Sequence, residues 1–137
     1  MNRRRQKKLS SRLVWAARLG DRAGVRALLR AGADPRKADA HGTTPLYAAS
    51  VHGVAEIVRA LLEAGASPDV ESGHGDEGTP LCAAACWGHT EAVQELLAHG
   101  ADPKLREDRG TGNTPLYWAK AGPHPQTEAL LLAAGAA

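Results

Sequence analysis

An all-α solenoid of four helix–turn–helix units is the fold class this sequence predicts, and three observations carry it. The tripeptide Thr-Pro-Leu recurs at Thr44-Pro45-Leu46, Thr79-Pro80-Leu81 and Thr114-Pro115-Leu116, 35 residues apart both times. A second marker, Leu-Leu-x-x-Gly-Ala, starts at Leu28, Leu61, Leu96 and Leu131 and brings Gly32, Gly65, Gly100 and Gly135 to equivalent places. The chain is 43% hydrophobic but only 4% aromatic, with no phenylalanine, so large rings cannot fill one deep core. Alanine and leucine instead suit short helices stacked side by side in a repeat array.

Each element follows from local chemistry. A basic tail spans residues 1–9, and the units span approximately 10–42, 43–77, 78–112 and 113–137. In the first unit Ser11-Arg12-Leu13 replaces Thr-Pro-Leu, keeping a capping hydroxyl and adding charge, as suits a terminal cap. In the others, the threonine accepts a free N–H at a helix start, and proline at the first helical position removes no needed donor. That helix runs through small residues, Ala48-Ala49 or Ala83-Ala84-Ala85, which let a neighbour approach, and breaks at Gly53 or Gly88. A second helix puts Ile57, Val58, Leu61 and Leu62, or Ala92, Val93, Leu96 and Leu97, on one face. Its closing glycine can take the left-handed conformation.

The stretches after Gly32, Gly65 and Gly100 are polar and proline-bearing and predict projecting loops or β-hairpin-like fingers. Those from Pro68 to Gly78 and from Pro103 to Asn113 are two residues longer than that from Pro35 to Thr43, so they should reach further. The last unit is degenerate. Pro123-His124-Pro125 stands where a regular turn is expected, and Leu130 to Leu132 are expected to leave apolar surface that self-association would cover.

Several function classes are disfavoured. No apolar run approaches the roughly 18 residues of a membrane span, and two cysteines do not make a disulfide framework. The expectation is a cytoplasmic chain without an export signal, since Arg18 cuts the only apolar stretch that follows the basic start. No serine, histidine and carboxylate constellation and no phosphate-cradling glycine loop appears, so neither an enzyme nor a cofactor is expected. Cys82, Cys86 and His89 share a helical side by their offsets, yet the spacing is not a zinc signature. A metal- or redox-responsive switch through Cys82 and Cys86 is kept as an alternative. The tail has six basic residues and no acidic one up to Arg12, but no aromatic side chain interleaves them, so nucleic acid is not the expected partner.

Charge is unevenly distributed. Residues 1–59 hold 13 basic and 4 acidic side chains, whereas residues 60–103 hold 8 acidic and no basic ones. Asp69, Glu71, Asp76 and Glu77 crowd one loop, where like charges repel, so that loop is read as steering a basic partner surface. Arg22, Arg26 and Arg30 at helical spacing are read as a solvated outer face.

On the Thr-Pro-Leu helices, the Gly88-His89-Thr90-Glu91 turn and the Gly100-Ala101-Asp102 close, the sequence resembles the ankyrin repeat family from about Ser10 to the C-terminus. The family's histidine after Thr-Pro-Leu, which ties neighbouring repeats, is replaced here by Tyr47, Cys82 and Tyr117. His89 matches the family's Gly-His turn and is read as structural. The resemblance implies non-catalytic protein binding along a concave side made of first-helix positions and finger tips. Mapped onto this chain, that side carries the pairs Arg18-Leu19, Val51-His52 and Cys86-Trp87, with Trp87 the leading anchor. Trp118 and the loop residues Arg36, Asp39, His41, His74, Asp76, Glu77, Arg106 and Arg109 complete the expected partner surface. A regulatory subunit acting on an enzyme is the other role left open.

Overall fold

The computed structural model describes residues 2–136; residues 1 and 137, the outer ends of the expected first and last segments, lie outside the described residues. Four helix pairs are formed: α1 (Arg3–Leu19) with α2 (Arg22–Arg30), α3 (Pro45–His52) with α4 (Ala55–Glu63), α5 (Pro80–Cys86) with α6 (Thr90–Ala98), and α8 (Pro115–Ala121) with α9 (Pro125–Ala133). The remaining element, α7 (Glu107–Gly110), is a single turn in the third inter-unit loop, with Asp108 and Arg109 both in the left-handed region. Helices α1, α3, α5 and α8 pack against one another in chain order as an inner row, and α2, α4, α6 and α9 form an outer row.

The core lies between the rows. Leu13, Leu46 and Leu81 enter it from the inner helices, and Val25, Val58, Val93, Leu61, Leu96 and Leu131 from the outer ones, all essentially without solvent contact. Each such side chain contributes about 1.5–3 kcal/mol. Ala49, Ala84 and Ala119 are fully buried at one repeated position, where a larger side chain would push the inner helices apart. Thr44, Thr79 and Thr114 cap their helices as expected, each Oγ1 accepting the N–H three residues on at 3.1–3.2 Å. The closing glycines adopt positive φ, from 91° at Gly100 to 110° at Gly65.

The first unit corrects the sequence reading. Helix α1 starts at Arg3, with Asn2 Oδ1 accepting the Arg5 N–H at 2.8 Å, so the expected boundary between tail and domain falls inside a helix. Arginine, lysine, glutamine and leucine propagate a helix well. Leu9 and Ser10 are buried, and Gln6 Nε2 donates to the Gly32 carbonyl at 2.8 Å, which ties the basic segment to the body. Ser11 lies exposed in mid-helix and caps nothing.

The loops are also simpler than hairpins. Among the described residues they contain one isolated antiparallel bridge, Ser72 with Gly78, and no strand. Equivalent single bonds close the other two, from Asp39 N to Thr43 O and from Glu107 N to Asn113 O. In the last unit Leu131 is buried while Leu132 stays 48% exposed, so the three leucines do not form one apolar patch. On the outer row Arg22 pairs with Glu56 at 2.9 Å and Arg59 with Glu95 at 3.7 Å. Exposed pairs of this kind add about 0–1 kcal/mol each.

Candidate functional site

The inner helices α1 and α3 end at Gly20 and Gly53, and α5 ends one residue before Gly88; φ is 73°, 72° and 68° at these glycines. The residues just before them therefore occupy equivalent places in a stack. Leu19 and Trp87 are each 63% exposed there, and His52 between them is exposed. Val51 and Cys86 sit half-buried beside them, and Arg18 is exposed. In the fourth unit Ala121 and Gly122 follow in the same place, so the row ends at Trp87 with nothing of comparable bulk beyond it.

Two histidines fix this row from behind. His89 Nε2 lies 3.0 Å from the Val51 carbonyl oxygen, and His124 Nε2 lies 3.0 Å from that of Cys86. A carbonyl only accepts, so Nε2 carries the proton in both rings. Carbonyls in the last turn of a helix have no partner within it, and these bonds supply one from the next unit. Each ring also fills the space beside a glycine: a Cβ on Gly53 would lie 2.4 Å from the His89 ring, and one on Gly88 2.4 Å from that of His124. Val54 stands at the corresponding place in the second unit, so Arg18 receives no such bond. The expectation for His89 as a structural residue is met.

Where the family places its repeat-tying histidine, the three substitutes behave differently. Cys82 is buried with Sγ 3.6 Å from the Asn113 carbonyl. The Tyr47 hydroxyl is pushed up to about 12 by burial and by the nearby Glu77 and Glu107 carboxylates. Tyr117 is 51% exposed and stacks edge-on against Trp118, with ring centroids 5.3 Å apart.

Several expected partner-facing residues are turned to internal work. Trp118 is half-buried, and its Nε1–H donates to Glu107 Oε1 at 2.8 Å, binding its helix to the preceding loop. Asp39 accepts the N–H groups of His41 and Thr43 at 2.9 and 3.0 Å. Glu77 accepts the hydroxyls of Thr43 and Ser72 at 2.9 and 2.8 Å, while Ser72 Oγ accepts the Thr44 N–H. Asp69 and Glu71 accept N–H groups of the next loop, from Asp102 at 2.9 Å and Arg109 at 2.6 Å. Three of the four crowded carboxylates, Asp69, Glu71 and Glu77, thus bond to a neighbouring loop, while Asp76 stays exposed. Those three are braces between loops, since an acidic side chain near free N–H and O–H groups accepts from them.

The exposed loop tips carry mixed charge. His41, His74, Asp76, Arg106 and Arg109 are open, with Asp76 also accepting the His74 N–H at 3.1 Å, and Arg36 lies beside Asp34 at 3.3 Å. The structure also exposes Trp15, which is 58% accessible. Trp15 occupies the position of the buried Ala48 and Ala83 and of the half-buried Trp118.

The thiols do not converge with His89, whose ring points to the Val51 carbonyl. Burial pushes Cys82 up to about 12, and burial with the Glu107 charge raises Cys86, so both are neutral thiols near pH 7. Among the described residues, no group of three or more His, Cys, Asp and Glu side chains is placed to hold a metal ion. No described helix is long and apolar enough to cross a membrane. What the inner row offers is contact area, an indole and an isobutyl group separated by an imidazole, on a scaffold held by the two histidine bonds.

No curated protein sequence matches the chain. A family model of ankyrin repeats in three copies matches residues 13–107 and again residues 69–137. Ankyrin repeats are generally protein–protein interaction modules. The matched segments run from within the first helix pair to the end of the last, and the chain belongs to the ankyrin repeat family.

Proposed function

We propose that this chain is a non-catalytic recognition module that binds one partner protein across the row Leu19, His52 and Trp87, working as an adaptor or regulator. The observation that carries the reading is Trp87. Its indole is 63% exposed at the end of a helix whose backbone is fixed by His124, and it supports no part of the core. Tryptophan in such a place is enriched among residues that dominate binding energy. Val51 and Cys86 line the same row, and the tips His41, His74, Asp76, Arg106 and Arg109 form its polar edge. Arg36 extends that edge at the first loop. The cytoplasm is the compartment proposed, on the two free cysteines.

Affinity capture from the native host's extract tests this. Wild-type chain is compared with a folded Trp87→Ala, His52→Ala variant, and the proteins retained by each are identified. A single protein lost from the variant supports the reading. Retention of the same proteins by both would sink it.

An enzyme-regulating role is a narrower version of the same reading, distinguished by an enzyme activity that co-purifies and changes when the chain is added. The redox switch is disfavoured by the raised thiol of Cys82 and its burial.

A further inference from the structure

A second surface runs along α1 and α2 and meets the first at Leu19 and His41. A groove of about 720 Å³ there is continued by another of about 470 Å³, the two sharing Arg12, Ala27 and Leu28. On the α1 side it is edged by Arg5, Lys8, Arg12, Trp15 and Leu19. Their spacing of three and four residues alternates without a break, the pattern by which one helix presents a straight seam to another. On the α2 side the small, exposed Ala27 and Ala31 leave the backbone open to close approach.

We propose that this groove docks an amphipathic acidic α-helix of a partner protein, apolar along the Trp15 and Leu19 end and carboxylate-bearing along the Arg5, Lys8 and Arg12 end. Two observations select that occupant. Gly24 and Leu28 hold the repeat positions of Ile57 and Leu61, which the first helix pair covers completely in the second unit. Leu28 is only half-buried, so the surface shaped to receive helices at every other seam is open here. The second observation is charge. Arg22, Arg26 and Arg59 on the outer row have carboxylate partners, whereas Arg5, Lys8, Arg12 and Arg18 have none among the described residues. The two carboxylates in the groove are already used, Asp21 by the Gly24 N–H and Asp39 by its own loop.

The division of labour follows from magnitudes. Exposed ion pairs contribute little each, so affinity must come from apolar contact with Trp15, Leu19 and Leu28. The cations set orientation and encounter rate. A flat bilayer cannot fill a groove between two helices, and a nucleic acid backbone has no apolar face for its floor. From Arg5 to Leu19 the seam is about 21 Å long, which fits a helix of about four turns.

The test uses the full chain and three synthetic helical peptides of about four turns, with identical leucines at seam positions and glutamate, glutamine or lysine beside them. Fluorescence anisotropy of labelled peptide is read at low and high salt. The glutamate peptide should bind about tenfold or more tighter than the glutamine one, with the advantage lost at high salt. The lysine peptide should be weakest. Trp15→Ala with Leu19→Ala should abolish binding, Lys8→Glu with Arg12→Glu should reverse the peptide preference, and Trp87→Ala should change nothing. Both double variants alter exposed side chains, and circular dichroism verifies their fold. Equal binding of the three peptides, or indifference to both double variants, overturns the proposal. So does Lys8- and Arg12-dependent binding to phosphatidylserine vesicles or single-stranded RNA without binding to any peptide. Dimerisation of the chain that Trp15→Ala with Leu19→Ala removes, seen by sedimentation, also overturns it, since the occupant is then a second copy.

Discussion

The ring of His89 fills the space beside Gly53 into which a β-carbon would project. The imidazole lies where a side chain at position 53 would begin, and from there its Nε2 reaches the Val51 carbonyl at 3.0 Å. The same arrangement joins His124 to Gly88 and Cys86.

Replacing Gly88 by alanine should therefore destabilise the chain by about 2 kcal/mol or more, from left-handed backbone strain plus the clash with the His124 ring. His124→Ala alone should cost about 1 kcal/mol for the lost bond to the Cys86 carbonyl. In the His124→Ala background, Gly88→Ala should cost only the backbone part, about 1 kcal/mol. Urea denaturation of the four proteins measures this; strict additivity would contradict a shared space.

Glu77 should matter for stability before it matters for binding. Glu77→Ala leaves the Thr43 and Ser72 hydroxyls without their acceptor, and a loss of about 1–3 kcal/mol is expected. Thermal unfolding should show a lowered midpoint for Glu77→Ala and little change for Asp76→Ala, whose side chain is exposed.

Alkaline pH should loosen the fold. Cys82 and Tyr47 are both raised to about 12, from ordinary values of 9.0 and 10.0. The unfolded chain therefore loses these protons first. Their contribution to stability is complete below about pH 9 and falls as pH rises toward about 12, where the folded groups also ionise. Urea midpoints measured across that window should decline, and Cys82→Ala or Tyr47→Phe should each flatten the decline. The thiol of Cys82 should also resist alkylation at neutral pH until denaturant is added.

Trp87→Ala should leave stability within about 0.5 kcal/mol, since the ring is outside the core. Its effect on partner affinity should reach about 2 kcal/mol, roughly thirtyfold, by calorimetry with the captured protein. A loss of folding stability larger than the loss of affinity would contradict its assignment as a contact residue.

Most of the fold was legible because its devices are local. Thr44, Thr79 and Thr114 cap the helices they precede, and the glycines sit where chain reversal needs positive φ. The first helix was misjudged because Arg3 to Lys8 carry charge, which reads as a solvated tail, whereas the cap at Asn2 and the bond from Gln6 to Gly32 operate on backbone groups. The bracing role of the acidic loop was not legible for a related reason. Which donor each carboxylate meets depends on a neighbouring loop some 33 to 38 residues away, as with Asp69 and Asp102 or Glu71 and Arg109, and no local pattern records that meeting. The exposed row at Leu19, His52 and Trp87 was legible because repeat position alone defines it.

The two histidine bonds run one way. In each, the later unit supplies the ring and the earlier unit supplies both the glycine and the carbonyl. A ribosome delivers the chain in that same direction, N-terminal units first. When His124 leaves the exit tunnel, the place it must occupy beside Gly88 has already been made. The third and fourth units thus each dock onto a place that the preceding unit already carries, and assembly can proceed by addition at a single growing end.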